Sequence, residues 1–185
     1  LFALFSLIQG LHMQNRRFLI LAGTYASFSM GTLYYLLYLV IMGKVPQVFY
    51  VSEMAWMASY LFLLALCLME TRRYRGKLDV LVLGLTIVEA AMVIGWKILG
   101  PSYPFTVTFA LVTACIFYYA LLGYRMEKRM LMLAMVLVIV WQLLLYIVSV
   151  FTTGYTHFNL YFAVDFLLMA TMCSLFLWLK KEECK

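Results

Sequence analysis

Four polar side chains that could do chemistry lie inside long apolar stretches of this sequence. Glu53, Glu89 and Asp165 are carboxylates and Gln142 is an amide, and each is surrounded by aliphatic and aromatic residues. An ionisable group at the centre of a bilayer costs roughly 2.5–3.5 kcal/mol, so each one needs a partner or a function. These residues are therefore the first candidates for a site.

Carboxylates and aromatic rings that face one cavity suit a cationic or amphipathic ligand. Trp96 follows Glu89 by seven residues, about two helical turns, and so shares its helix face. Tyr161 belongs to the aromatic residues expected to frame the cavity. Lys97 or His157 are the candidate partners of the polar residues in its wall. The residues predicted to bind a ligand are Glu53, Glu89, Gln142, Asp165, Trp96 and Tyr161.

Structural roles compete with this interpretation. Glu53 could extend to the lipid headgroups. Glu89, Asp165 and Gln142 could form hydrogen bonds between helices and fix their packing. Lys97 could anchor its helix at the interface, and most aromatic residues near helix ends could form an interfacial belt.

Composition places the chain in a membrane. Hydrophobic residues make up 66% of the 185 residues and charged residues 12%, against about 25% charged in a typical soluble domain. The net charge of +6 comes from short basic clusters between apolar runs. Such clusters set membrane orientation, so nucleic acid is not an expected partner. The expected partner is the lipid bilayer, with a small ligand and a membrane or cytoplasmic signalling protein as further candidates.

The apolar runs predict an all-α, polytopic transmembrane bundle in a single integral membrane domain, residues 1–185. Each run has about 20 residues or more, the length of a spanning helix, and none shows the alternation of a transmembrane strand. The predicted spans are residues 18–42, 49–70, 78–99, 105–124, 130–151 and 158–179. Residues 1–11 are predicted to be a partial span, an interfacial helix or part of a seventh span.

The distribution of basic residues predicts the orientation. Twelve lysines and arginines fall on one side of the predicted spans, and only Lys44 and Lys97 fall near the other. Basic loops stay in the cytoplasm, so the C-terminus is predicted to be cytoplasmic and the protein to lie in the inner (plasma) membrane. The candidate acids then lie in the outer half or the middle of the membrane. The inner half is expected to hold apolar residues and a basic fringe.

Other patterns add little chemistry. Gly84, Ala91 and Gly95 share a face of the third span and predict close helix packing. Four scattered cysteines with no CxxC pair predict no metal site and no disulfide. Enzyme motifs and cofactor motifs are absent, so neither catalysis nor a cofactor is expected. Because the chain begins at Leu1, a longer native protein is expected.

One segment resembles a known family. Residues 46–60, PQVFYVSEMAWMASY, combine a proline-containing turn with Ser52, Glu53, Trp56 and a Ser-Tyr pair that enters a span. This pattern is similar to the multi-helix membrane input regions of bacterial signalling proteins, which precede histidine kinase or diguanylate cyclase domains. The resemblance implies a sensor function. No output domain follows Lys185, so the chain is either a fragment of such a protein or acts alone.

Three functions are therefore open. The first is a sensor or receptor-like module that binds a small ligand in an outward-facing polar cavity. The second is a small-solute transporter or its substrate-binding subunit, suggested by three hairpins and carboxylates near the midplane. The third is a non-catalytic scaffold subunit that assembles with another membrane protein.

Overall fold

The computed structural model describes residues 1–43, 51–74, 76–97, 103–152 and 158–183, without the side chains of residues 96 and 97. Regular structure in these ranges is entirely helical, which confirms the predicted all-α fold class. A 3₁₀ turn, Arg72–Tyr74, follows the third of seven described α-helices. The helices are α1 (Phe2–His12), α2 (Arg16–Met42), α3 (Val51–Glu70), α4 (Val80–Lys97), α5 (Tyr103–Glu127), α6 (Met130–Phe151) and α7 (Leu160–Glu183).

Five of the described helices, α2, α3, α5, α6 and α7, are long and apolar enough to cross a bilayer. Their outer surfaces expose large apolar side chains such as Val40, Phe151 and Phe166. Exposed apolar surface of this extent indicates contact with lipid. The chain is therefore a multi-pass helical membrane protein.

The other two helices are shorter. Helix α4 has 18 residues, of which Val80–Gly95 form its apolar part, and α1 has 11. The third predicted span, residues 78–99, includes residues outside the described ranges and stays a prediction. The predicted turns at Lys44 and Pro46, at residues 100–101 and at residues 153–157 also lie outside those ranges.

Local residue types explain where several helices begin and end. Asn15 caps α2, since its side-chain oxygen accepts a hydrogen bond from a first-turn N–H at 3.0 Å. Gly43 ends α2 in the left-handed conformation (φ +63°), which glycine adopts without strain. The Asp79 carboxylate accepts two N–H groups at the start of α4. Pro104 is the second residue of α5, where its missing N–H costs little.

The bundle is built from three hairpins of sequence neighbours, α2–α3, α4–α5 and α6–α7. Helix α3 also packs against α5, α5 against α6, and α7 contacts α2, so these five helices form a ring. Helix α4 lies outside the ring against α5 and α6, while α1 packs on α2 and contacts α7. The five long helices are therefore the ones positioned to enclose a site.

A buried tyrosine joins the two helices that close the ring. The Tyr25 hydroxyl of α2 donates to the Met172 carbonyl at 2.7 Å and accepts the Phe176 N–H at 3.1 Å. In an α-helix, the carbonyl of residue 172 and the N–H of residue 176 belong to the same turn, so the single hydroxyl bonds both the acceptor and the donor of that turn. This contact fixes α2 against α7 where their packing is otherwise sparse.

Small residues let α2 approach α3 closely. A Cβ atom added at Gly31 would lie 2.7 Å from the Trp56 ring and 2.9 Å from the Ser52 carbonyl oxygen. The predicted packing through Gly84, Ala91 and Gly95 is wrong. Within the described residues, nothing lies within 4 Å of a Cβ added at Gly84 or Gly95, and Ala91 is exposed. These residues face outward because α4 packs on the ring through its opposite face, where Val82 and Glu89 are buried.

Candidate functional site

The two ends of the bundle differ in chemistry. One end, called the basic end below, holds the start of α2, the ends of α3, α5 and α7, and the short turn between α5 and α6. The described basic residues there are Arg16, Arg17, Arg72, Arg73, Lys77, Arg125, Lys128, Arg129, Lys180 and Lys181. The other end is called the opposite end.

A cavity of about 260 Å³, the opposite-end cavity, lies within the ring in the helix halves away from the basic end. All five ring helices contribute to its wall. Four of the six predicted site residues line it, namely Glu53, Gln142, Tyr161 and Asp165. The structure thus brings these four together, and their binding of a ligand stays a prediction.

The two carboxylates of the opposite-end cavity have different surroundings. Glu53 lies in the first turn of α3, is half-buried and interacts electrostatically with Tyr146. Asp165 lies five residues into α7, is half-buried, and has no hydrogen-bond or ion-pair partner among the described residues. A carboxylate removed from water needs a counter-charge or a donor. Asp165 is therefore the residue of this cavity whose charge no described residue compensates.

Aromatic rings form most of the wall and hold one another in place. The Tyr35 and Trp56 ring centroids lie 5.7 Å apart, and Trp56 Nε1 donates to Thr32 Oγ1 at 3.4 Å. On the other side, Phe109 makes edge contacts with Tyr60 at 5.1 Å and Tyr146 at 5.6 Å. Rings fixed by their neighbours lose little entropy when a ligand binds, so the wall is preorganised.

Gln142 connects α6 to the aromatic wall. Its Oε1 atom accepts a hydrogen bond of 2.6 Å from the Tyr60 hydroxyl, and its side chain also bonds Tyr146. The amide is buried and already used between helices. This geometry favours the structural interpretation of Gln142, as a residue that orients two tyrosines at the cavity floor.

The remaining predicted residues lie elsewhere. Glu89 is 5% exposed on α4, outside the ring, and is not part of the opposite-end cavity. Neither of its oxygens has a hydrogen-bond partner among the described residues, since the neighbouring Thr113 hydroxyl is directed at the Ala110 carbonyl at 3.2 Å. The side chains of Trp96 and Lys97, and all of His157, lie outside the described part of the chain.

The basic end holds a set of acids that sequence reasoning missed. The expectation of an inner half with only apolar residues and a basic fringe is wrong, because acidic side chains interleave with the basic ones. The signal was present in the sequence, where Glu70 directly precedes TRR and two glutamates follow Lys180 and Lys181. The acids in ion pairs are Glu70, Asp79, Glu127, Glu182 and Glu183.

Glu70 is the centre of this ion network. Its side chain is 1% exposed, and its two oxygens lie 2.9 Å from Arg17 Nε and 2.6 Å from an Arg129 nitrogen. The first contact has ion-pair distance without hydrogen-bond alignment, whereas the second is a hydrogen bond. Arg17 also pairs with Glu183 at 2.9 Å and Arg129 with Glu182. One buried carboxylate thus links the ends of α2, α3 and α7 to the start of α6.

The network holds its arginine in the charged state. Burial alone lowers the pKa of Arg129, but hydrogen bonds from its guanidinium to Glu182 and Glu70 outweigh this and raise the pKa above the usual arginine range. At the edge of the same region, the hydrogen bond to Glu127 raises the pKa of the exposed Tyr74 hydroxyl. Neither group loses its proton near neutral pH.

No family model, curated protein or solved structure matches this chain. The chemistry of the site must therefore be argued from its geometry. At the opposite end, a carboxylate with no partner among the described residues lies among fixed aromatic rings, and surroundings of this kind favour a cation. At the basic end, paired charges cross-link four helix ends. The two ends therefore differ in how the described residues compensate their acids: Asp165 has no ion-pair partner, whereas the acids of the basic end form ion pairs with arginines.

Proposed function

We propose that this membrane protein is a sensor or receptor-like module that binds a small organic cation in the opposite-end cavity. The observation that supports this is the Asp165 carboxylate, which lines an aromatic-walled cavity and has no hydrogen-bond or ion-pair partner among the described residues. A bound cation would supply the missing counter-charge. The predicted orientation, with the basic end in the cytoplasm, would open the cavity toward the outside.

Size and wall chemistry narrow the ligand class. A cavity of about 260 Å³ lies just below the roughly 300–1,000 Å³ of typical ligand pockets. The faces of Trp and Tyr rings attract ammonium groups by about 2 kcal/mol or more when water is excluded. The proposed ligand is therefore a compact amine or quaternary ammonium compound rather than a large amphiphile.

Binding by the purified protein in a neutral detergent tests this proposal. Choline and its uncharged analogue 3,3-dimethyl-1-butanol serve as paired probes of equal shape, and calorimetry or tryptophan fluorescence measures their binding. We expect choline to bind and the neutral analogue to bind at least about tenfold more weakly, since the loss of one ion pair costs more than 1.4 kcal/mol.

Two variants locate the binding site. Asp165→Asn removes the charge at nearly constant shape and should weaken choline binding by about tenfold or more. Glu89→Gln removes a buried carboxylate outside the cavity and should leave binding unchanged. Equal binding of charged and neutral probes, or equal losses in the two variants, would contradict the proposal.

A transporter is the second candidate, and Glu89 favours it. Glu89 is deeply buried and has no hydrogen-bond partner among the described residues, and such a carboxylate in the membrane can exchange a proton during a transport cycle. Uptake of radiolabelled choline into vesicles under an imposed pH gradient separates the two functions. A transporter should lose uptake in Glu89→Gln while its binding stays intact, whereas a sensor should bind and show no uptake at all.

A further inference from the structure

A second, larger cavity lies at the basic end, and the proposed function does not use it. Its volume is about 860 Å³, and it lies between the ends of α3 and α7 and the turn between α5 and α6. Three acidic side chains line it, from Glu70, Glu127 and Glu182. Its six cationic side chains are Arg17, Arg72, Arg73, Lys128, Arg129 and Lys181.

The acids of this cavity are already neutralised by half of its cations. Glu70 pairs with Arg17 and Arg129, and Glu182 pairs with Arg129. Glu127 lies 3.7 Å from both Arg73 and Arg129. These pairs use every acidic side chain that lines the cavity.

Three cations of the cavity remain without an acidic partner among the described residues: Arg72, Lys128 and Lys181. Each comes from a different segment, namely the 3₁₀ turn, the turn between α5 and α6, and the last turns of α7. Lys181 lies over the Trp178 ring, 5.2 Å from its centroid. Three unpaired positive charges therefore surround one concave surface.

The backbone fixes where one of these cations lies. Lys128 adopts a left-handed conformation (φ +51°), which a residue with a side chain rarely takes. The conformation is stabilised by a 2.7 Å hydrogen bond from the Lys128 N–H to the Tyr124 carbonyl. Because the two-residue turn is this tight, Lys128 is held beside Arg129 and the paired acids rather than carried on a free loop.

We propose that this basic-end cavity binds a phosphate group. Lysine and arginine from several segments around one concavity are the usual recognition chemistry for phosphate oxygens. The cavity lies at the helix ends, the depth at which lipid phosphates occur, and Met69, Met130 and Trp178 add apolar surface to its lining. The phosphate belongs either to an anionic lipid headgroup or to a free phosphorylated solute.

Two matched variants distinguish phosphate binding in the cavity from a general attraction of anions to the basic end. The site variant replaces the three unpaired cations, Arg72→Gln, Lys128→Gln and Lys181→Gln. The control variant removes the same charge from the same end outside the cavity. It carries Arg16→Gln, Lys77→Gln and Lys180→Gln, residues that do not line the cavity.

The first arm of the experiment measures lipid binding. Each protein is mixed in neutral detergent with equal amounts of phosphatidylglycerol and phosphatidylcholine, and native mass spectrometry counts the lipids retained. We expect the wild type to retain phosphatidylglycerol preferentially. In the site variant, the preference for phosphatidylglycerol over phosphatidylcholine should fall about fivefold for each cation removed. The control variant should keep most of the preference.

The second arm uses glycerol phosphate and inorganic phosphate without added lipid, with the thermal unfolding temperature as the readout. Stabilisation of the wild type but not the site variant by these anions would identify a soluble phosphate compound as a sufficient ligand. Stabilisation only by the lipid would identify the headgroup. Equal behaviour of the site and control variants in both arms would overturn the proposal. So would a wild type that neither prefers phosphatidylglycerol nor is stabilised by the phosphate compounds.

Discussion

Glu70 at the basic end and Asp165 at the opposite end are both carboxylates within a few residues of a helix end, yet the protein treats them differently. Glu70 is almost fully buried and is held by Arg17 of α2 and by Arg129, which directly precedes α6. Asp165 is half-buried in an aromatic cavity and has no partner among the described residues. The difference places Glu70 in a network that holds helices together, and it supports the proposal that Asp165 instead meets a ligand.

The largest expected effect is at Glu70. Replacement by Gln leaves Arg17 and Arg129 facing each other without the charge between them. Breaking a buried pair costs about 3–5 kcal/mol, and the partial exposure of the arginines places this variant near 3 kcal/mol. Equilibrium unfolding in mixed micelles measures the loss. The control is Glu183→Gln, whose single, more exposed pair should contribute about 1 kcal/mol or less.

This pair of variants tests whether Glu70 has a special role. If Glu70→Gln and Glu183→Gln lose the same free energy of unfolding, burial gives Glu70 no special role. The basic end would then be an ordinary charged surface.

A second test concerns the wall of the opposite-end cavity. Gly31→Ala would place a methyl group 2.7 Å from the Trp56 ring and 2.9 Å from a backbone oxygen of α3, so the two helices must separate. Overpacking of this kind costs about 1–3 kcal/mol and should also displace the Trp56 ring. A lowered unfolding temperature and altered tryptophan fluorescence would show it.

Gly84→Ala is the matched control, because nothing in the described structure lies within 4 Å of the added atom. This substitution should be neutral or stabilise α4 by up to about 1 kcal/mol through helix propensity. Equal destabilisation by both substitutions would mean that the close contact between α2 and α3 is not specific.

A smaller effect is expected at the cavity floor. Tyr60→Phe removes the donor to Gln142 and leaves a buried amide oxygen without that bond. Hydrogen bonds between membrane helices contribute about 0.6 kcal/mol on average and up to about 1.7 kcal/mol. A double-mutant cycle with Tyr60→Phe and Gln142→Leu isolates the coupling energy in unfolding measurements. A coupling of zero would remove the structural role assigned to Gln142.

The helices and hairpins of the fold could be predicted from the lengths of the apolar runs. Runs of about 20 residues bounded by basic clusters specify helices and hairpins, because a bilayer admits few other structures. The position of α4 outside the ring could not be predicted. Its apolar residues surround the whole helix, so no stripe in the sequence distinguishes a lipid-facing side from a packed side. For the same reason, the small residues Gly84 and Gly95 were assigned to a contact that does not form.

The site was predictable in composition and less so in arrangement. Polar residues in apolar runs are few, so Glu53, Gln142 and Asp165 could be selected by type and depth. Glu89 has the same type and a similar depth, but its separation from them depends on which helices adjoin. The network around Glu70 was missed because acids next to basic clusters resemble an ordinary charged fringe until tertiary contacts join α2, α3, α6 and α7.

The smallest change in stability is expected for Asp165→Asn, and this variant gives the most direct test of the difference between Asp165 and Glu70. Asp165→Asn removes a charge that no described residue compensates, so the free energy of unfolding should change by less than about 0.5 kcal/mol or increase slightly. The same substitution is expected to weaken cation binding. Under identical conditions, we expect Asp165→Asn to give a stable protein with weakened cation binding and Glu70→Gln to give a destabilised protein. If Asp165→Asn instead costs as much as Glu70→Gln, Asp165 is a structural partner and the opposite-end cavity has no uncompensated charge to offer a ligand.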